Sequence, residues 1–375
     1  MRRSNAPTLQ DVAREAGVTA MAASVVLNGA TSSTRVSEAA RARILDAAAK
    51  LRYRRNAVAR GLSRRCMDAL GVVAVTGGGE MNLYFHELLN GILEAASEQN
   101  QNTTVFSISG WTGNESRILG FCDGRVDGMI LVAPNLSVAF AETLPLYTPV
   151  VTSHSHGAPP AADNLDVDNE AGAYALVRYL IDRGHRRIAH FPGALDLSGS
   201  RLRLAGYRRA LDEAGIPADE SLIVPGHFNS GSGKRRMIDL LDRADPAWGA
   251  DPAGVNPLPT AVFCASDTIA CGCIEALAER GLRVPDDISI AGFDDTLTAR
   301  MTAPPLTTVR QPFRRMGRRA VELLLAQIHP DADAETENDA PRTEIFEAEL
   351  VVRGSVGPPP ASGPPPASGS PPARG

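Results

Sequence analysis

The sequence predicts two architectures in one chain: an all-α unit over roughly the first 55 residues, then an α/β body built on two parallel sheets. Residues 1–66 hold 13 Lys and Arg against 4 Asp and Glu, and the remainder holds 25 against 39, so a basic segment of net +9 precedes an acidic body. In the basic segment apolar residues recur at helical spacing around glycines. Beyond residue 69 short apolar runs alternate with amphipathic ones, the pattern of strand–helix units with parallel strands. At 375 residues and 43% hydrophobic composition, the chain is long enough to bury several cores.

In order along the chain, Thr8 with Asp11 three residues on starts a first helix with a capping box. Leu9, Val12, Ala13 and Ala16 share one face of it, and Gly17 stops it. Thr19 caps a second helix, which packs through Ala22, Ala23, Val26 and Leu27 and ends at Asn28-Gly29. Ser37 caps a third, with Ala40, Ile44, Leu45, Ala48 and Leu51 expected inward. Helix, glycine turn, helix and supporting helix make the helix-turn-helix plan, and its basic charge points to a polyanion. The stretch "YRRNAVARGLSRR", residues 53–65, is a short helix-capable linker flanked by arginines.

The body opens with "ALGVVAV", "TTVFSI", "DGMILVA" and "PVVTSH" as strands, with "YFHELLNGILEAASEQ" as an early helix. After "DNEAGAYALVRYLIDRG" the pattern repeats with "RIAHFPG", "TAVFCAS" and "ISIAGF". Ligands of parallel sheets bind beyond the carboxyl ends of the strands, where "VTGGGE", "APN", "SHSH", "PGALDLSGS", "ASD" and "GFDD" fall. Asp294 in "GFDD" is a carboxylate that needs a hydroxyl, a cation or a helix start to satisfy it. The last segment, residues 357–375, is "GPPPASGPPPASGSPPARG" and is expected to be a disordered tail, because it has too little apolar content to fold.

Several function classes are disfavoured. No apolar run is long enough for a signal peptide or membrane span, so a cytoplasmic protein without membrane contact is expected. The five cysteines form no CxxC pair and fit a reduced compartment, with Cys271 and Cys273 read as buried thiols. "GSGK" at 231–234 fails as a phosphate loop, because Phe228 stands where the first glycine belongs and Arg235 follows Lys234. With no nucleophile elbow and no metal-ligand spacing, neither an enzyme nor a metal or cofactor is expected.

The segments "TLQDVAREAGVTAMAASVVLNG", "VSEAARARILDAAAKLRY" and "NAVARGL" are followed in order by "VDGMILVAP", "LIDRGHRRIAHFPG", "RLAGYRRALDEAGI", "PTAVFCASDTIACG", "GLRVPDDISIAGFDD", "PPLTTVRQPFRRMG" and "ELVVRGS". Through this series, over about 350 residues, the chain resembles the lactose-repressor (LacI/GalR) family of bacterial transcription regulators. The resemblance implies a helix-turn-helix headpiece at 1–55, a hinge helix at 56–67, and a periplasmic-binding-protein-like body at 68–356. That body has two lobes joined by three crossovers. One lobe spans about 68–165 and 297–326, the other about 166–296 and 327–356.

The implied protein is a homodimeric regulator, usually a repressor, on a pseudo-palindromic double-stranded DNA operator, with a sugar or nucleoside-like effector between the lobes. The alternative is a solute-binding protein with the same body, which would lack the basic headpiece. Residue by residue, the resemblance places Ala20 and Met21 at base-reading positions and Thr19, Ser24 and Asn28 at phosphate-facing ones. Thr8, Leu9 and Val25 join them, and Asn56, Ala59 and Leu62 lie in the hinge, Leu62 as an apolar wedge for the minor groove. Val25 replaces a frequent Arg or Lys, so readout is expected to rest on thymine methyl contacts and DNA deformability. For the effector, Arg203 and Asp294 fall on the polar positions, with His154 beside them. Phe228 is the stacking ring, Phe313 a wall, Tyr84 and Phe85 an aromatic pair, and Ser266 stands where sugar binders often carry Asn.

Overall fold

The computed structural model describes residues 6–28, 35–64, 66–76, 83–136, 140, 142–144, 147–157, 162–243, 258–330 and 341–360. They form two compact units, residues 1–69 with 123–127, and residues 70–122 with 128–375.

The first unit contains helices α1 (Leu9–Ala16), α2 (Ala20–Asn28), α3 (Glu38–Lys50) and α4 (Ala57–Arg64). Thr8 and Asp11 form the reciprocal capping box of α1, and Gly17 ends it at φ +61, a left-handed conformation that side chains resist. Thr19 Oγ1 accepts the Ala22 amide at 3.2 Å, and Ser37 Oγ accepts that of Ala40 at 3.3 Å, so each helix starts on the hydroxyl that precedes it. Val12, Ala13, Ala16, Ala23, Leu27, Ile44 and Ala47 form the core. Leu45, expected inward, is 50% exposed, because Ile44 and Ala47 already define the buried face and the next residue turns about 100° away. Asn56 Oδ1 accepts the Ala59 amide at 3.1 Å and starts α4. At its exit, the Asp127 carboxylate accepts the amides of Met67 and Ala69 at 2.7 and 3.2 Å.

The second unit is the α/β body. Its larger sheet has six strands, here β1 (Ala69–Val75), β2 (Asn102–Ile108), β3 (Gly128–Val132), β5 (Val150–Ser153), β7 (Asp163–Val167) and β12 (Thr343–Phe346). Their order is β12-β7-β5-β3-β1-β2, and the pairs from β12 through β1 are parallel. A small pair, β4 (Asn135–Leu136) with β6 (His156–Gly157), lies outside it. Between β1 and β2 runs α5 (Leu83–Glu98), and α6 (Glu115–Leu119) follows β2.

The second sheet is β8 (Ile188–Phe191), β9 (Ala261–Cys264) and β10 (Ser289–Ala291), parallel in the order β10-β9-β8. Ala189, Val262, Cys264 and Ile290 face one core, while Ile188, Ala261, Phe263 and Ala291 face another. Helices cover both faces: α7 (Asn169–Asp182) and α8 (Ser198–Glu213) on one side, α9 (Ser230–Arg243) and α10 (Asp267–Glu279) on the other. This two-sided burial explains why these strands read as mainly apolar runs without alternation.

The lobe boundaries differ from the expected ones. Ala299 of α11 (Leu297–Met301) and Leu306 pack into the second lobe's core, so that lobe continues past 297. The chain returns to the first lobe near Gln311, where α12 (Phe313–Ile328) packs on α5; a Cβ on Gly317 would lie 2.5 Å from the Leu88 carbonyl. β12 then pairs with β7, so residues 343–346 complete the first sheet instead of belonging to the second lobe. Strands β11 (Thr308–Arg310) and β13 (Glu349–Val351) pair antiparallel where the chain passes between lobes.

The ordered chain also outruns position 357. Gly357 donates to Ser289 Oγ at 3.1 Å, and its carbonyl faces His185 Nε2 at 3.0 Å. The remaining tail expectation, residues 361–375, lies outside the described residues.

Candidate functional site

At the carboxyl ends of the two sheets, a cavity of about 210 Å³ is lined by side chains from both lobes. Backbone turns bring its polar groups inward. His154 follows β5 at φ +54, and Asp294 and Asp295 follow β10 at φ +120 and +53. Two successive left-handed residues send their carboxylates to different tasks. Asp294 lines the cavity, while Asp295, its side chain fully buried, gathers Arg310 at 2.7 Å and Arg353 at 2.5 Å.

The cavity's polar side chains form one hydrogen-bonded series. Asn169 Nδ2 donates to Asp166 Oδ1 at 3.3 Å, and its Oδ1 accepts from Arg203 Nε at 2.8 Å. Arg203 also donates to the Ala265 carbonyl and lies 3.9 Å over the Phe293 ring. Gln311 Nε2 donates to Asp294 Oδ1 at 2.6 Å, leaving Gln311 Oε1 to accept from His154 Nε2 at 3.0 Å. His154 therefore carries its proton on Nε2, and its Nδ1 accepts from Tyr84 at 3.1 Å and Ser153 at 2.9 Å. The series has one gap: Arg203 Nη1 and Asp294 Oδ1 are 3.9 Å apart, too far for a direct hydrogen bond.

Burial sets the charges. It lifts the Asp294 carboxyl to about 6, against the opposing pull of Arg203 and the Gln311 bond. It holds His154 below the usual histidine range, so the ring is neutral, and raises the Tyr84 phenol, which stays protonated. The Arg203 guanidinium is drawn down by burial and supported by Asp294 and Asp166.

Of the residues expected around an effector, Tyr84, His154, Arg203, Phe228 and Asp294 line this cavity. Three do not. Phe85 is 3% exposed in the first lobe's core, because neighbours on α5 point about 100° apart and only Tyr84 turns to the cavity. Phe313 is also core; its ring meets Tyr84 edge-on at 5.3 Å and supports the wall from behind. Ser266 is buried and caps α10, its Oγ accepting the Ile269 amide at 3.2 Å. Leu197 and Ser200 come from the expected "PGALDLSGS" segment, whereas Asp166, Asn169 and Gln311 line the cavity without having been anticipated.

On the basic unit, Thr8, Thr19, Ala20 and Met21 are exposed, Met21 by 55%. Ser24, Val25 and Asn28 are half-buried, with Asn28 Nδ2 donating to Ser24 Oγ at 3.3 Å. Leu9 packs against the headpiece core, Asn56 caps α4 and Ala59 is exposed. The Leu62 side chain lies outside the described residues.

With this geometry in view, residues 8–56 match "Bacterial regulatory proteins, lacI family" and residues 177–356 match "Periplasmic binding protein-like domain". The HTH-type transcriptional repressor PurR of Vibrio atlanticus (strain LGP32) is 33% identical over 348 residues, 92% of this chain and 98% of that protein. The ribose operon repressor of Haemophilus influenzae (strain ATCC 51907 / DSM 11121 / KW20 / Rd) is 32% identical over 93% of this chain and 98% of its own length. Among solved structures, the lac repressor dimer bound to operator and the anti-inducer ONPF superposes with a TM-score of 0.75 at 26% identity, covering 94% of this chain and 99% of that one. A cellobiose complex of the transcriptional regulator CelR gives 0.66 at 32% identity, covering 93% and 99%.

Proposed function

The chain belongs to the lacI family of bacterial regulatory proteins, and from that premise we propose which of its residues read DNA and which read the effector. It is an operator-binding transcriptional repressor controlled by a small molecule, acting as a homodimer in the cytoplasm, where its DNA lies. Its relatives are regulators, which supports this reading over a solute-binding protein or an enzyme.

The observation that carries the effector reading is the series from Asp166 through Asn169, Arg203, Asp294 and Gln311 to His154, which draws side chains from both lobes around one cavity. Its gap between Arg203 and Asp294 suits a ligand hydroxyl that accepts from the guanidinium and donates to the carboxylate. Phe228 and Tyr84 supply aromatic surface for an apolar ring face. At about 210 Å³ the cavity falls below the roughly 300–1,000 Å³ of drug-sized sites, which favours a single ring. A ligand that closes the gap favours one arrangement of the lobes and so shifts the population of the DNA-competent form.

On the DNA side, α2 presents Ala20 and Met21 to the major groove, with Thr19, Ser24 and Asn28 toward phosphates. Leu62 wedges the central step. Such a helix offers apolar contact to thymine methyls, so the half-site contains A·T pairs and much of the discrimination comes from DNA shape.

The test is to compare Asp294→Asn and Arg203→Lys with the wild type in operator binding. Both variants should hold operator with affinity within a few-fold of wild type and lose at least about tenfold of the ligand's effect. A retained response in both would show that the effector binds elsewhere.

A further inference from the structure

Helix α8, of 16 residues, begins without a side-chain cap. Its N-cap is Leu197, which makes no side-chain hydrogen bond to the first turn, where Ser, Thr, Asp or Asn would ordinarily accept an amide. The first amides of any helix have no intrahelical acceptor and carry its positive dipole end. Here that first turn, through Leu197, Gly199 and Ser200, lines the effector cavity.

A second observation is independent of the helix start. Ser200 is 1% exposed, and its Oγ has no hydrogen-bond partner. Among the described residues lining the cavity, it supplies the one buried side-chain oxygen left without a partner, while Asp166, Asn169, Gln311 and His154 are all engaged. An unmatched hydroxyl in a site is costly unless something completes it. Arg203 stands three residues on in the same helix and lines the same cavity, so a cation is part of that wall.

The cavity therefore has two chemically different ends. Asp166 and Asp294 can only accept when ionised, and they call for hydroxyl donors. The start of α8 offers amide donors and a rotatable hydroxyl, and it calls for an acceptor. A sugar hydroxyl placed there can accept from an amide with one oxygen and no charge, whereas a carboxylate brings two acceptor oxygens and a negative charge that the positive end of the helix favours.

We propose that the effector is a sugar acid, its carboxylate capping α8 at Gly199 and Ser200 and its hydroxyls bound by Asp166, Asp294 and Arg203. This rests on the cavity being the effector site. Asp294 and Asp166 repel a bound anion, and protonation of Asp294 relieves part of that repulsion, so the acid binds more tightly as pH falls toward 6.

The experiment is calorimetric titration of the full-length protein with D-glucuronate, D-galacturonate and D-gluconate, beside D-glucose and D-galactose. At least one acid should bind about tenfold more tightly than its neutral parent, and Ser200→Ala should remove most of that preference while leaving the neutral sugar little changed. Neutral sugars that bind as tightly as the acids, with binding abolished by Arg203→Lys, would overturn the acid assignment and leave the effector site intact. Acid binding indifferent to Ser200→Ala but lost in Arg203→Lys would overturn the α8 cap in the same way. Tight binding of any of these ligands that survives Arg203→Lys and Asp294→Asn would overturn both readings, and no binding of any of them at millimolar concentration would overturn the sugar-acid assignment.

Discussion

Asp294 and Asp295 are neighbours with opposite environments: one lines a cavity beside a single guanidinium, the other is fully buried against Arg310 and Arg353. The sequence marked Asp294 as a carboxylate in need of a partner, but nothing local told the two apart, because their different directions come from consecutive left-handed φ angles. Ser266 and Phe85 failed as site residues for related reasons. A serine before a helix serves equally as a cap or a ligand, and two adjacent aromatics on a helix cannot both face one cavity. Asp294 also has a measurable signature. Its folded carboxyl titrates at about 6 against an ordinary 3.8, so the native state holds a proton that the unfolded chain has lost. The stabilisation from that proton is complete below about pH 4 and disappears as pH rises through about 6. Urea unfolding across this window should therefore show a smaller decline with rising pH in Asp294→Asn than in the wild type. Parallel declines would mean that the group is ionised throughout.

At the scale of elements, caps and strand runs were readable because they are local. The Thr8–Asp11 box, Gly17 and Ser37 each depend on three or four consecutive residues. Lobe boundaries were not readable in this way, since β12 joins β7 across some 180 residues of chain. Helix pairing rests on glycines whose role also depends on distant partners. A Cβ on Gly272 of α10 would collide with the Ser230 carbonyl and lie 2.7 Å from the Lys234 amide of α9. A Cβ on Gly206 of α8 would meet the Glu170 carbonyl and lie 2.9 Å from the Tyr174 amide of α7. Backbone cannot yield as a flexible side chain does, so Gly272→Ala should lower stability by about 1–3 kcal/mol, read as a reduced urea midpoint. An unchanged midpoint would show that α9 and α10 can separate without loss.

Over the whole molecule, the charge division separates two jobs: a basic segment, residues 1–66, of net +9 for a polyanion and an acidic body for a small ligand. Two-state control needs a ligand site that both lobes share, and the hydrogen-bonded series through Gln311 meets that need because it runs from the end of β10 to the end of β5. Fold and function were legible from the ordered motifs. The ligand's chemistry was not, because Ser200 and the uncapped start of α8 acquire meaning only once the cavity is formed. The apolar face of α2 makes sequence-specific binding the claim most exposed to failure, and it can be measured directly. Purified full-length protein would be used to capture sheared genomic DNA of its source at near-physiological salt, and the captured fragments sequenced. Enrichment of a pseudo-palindromic site with A·T-containing half-sites and a flexible central step is the expected result. Uniform, salt-sensitive capture with no enriched site would contradict operator-specific control and leave only electrostatic attachment to DNA.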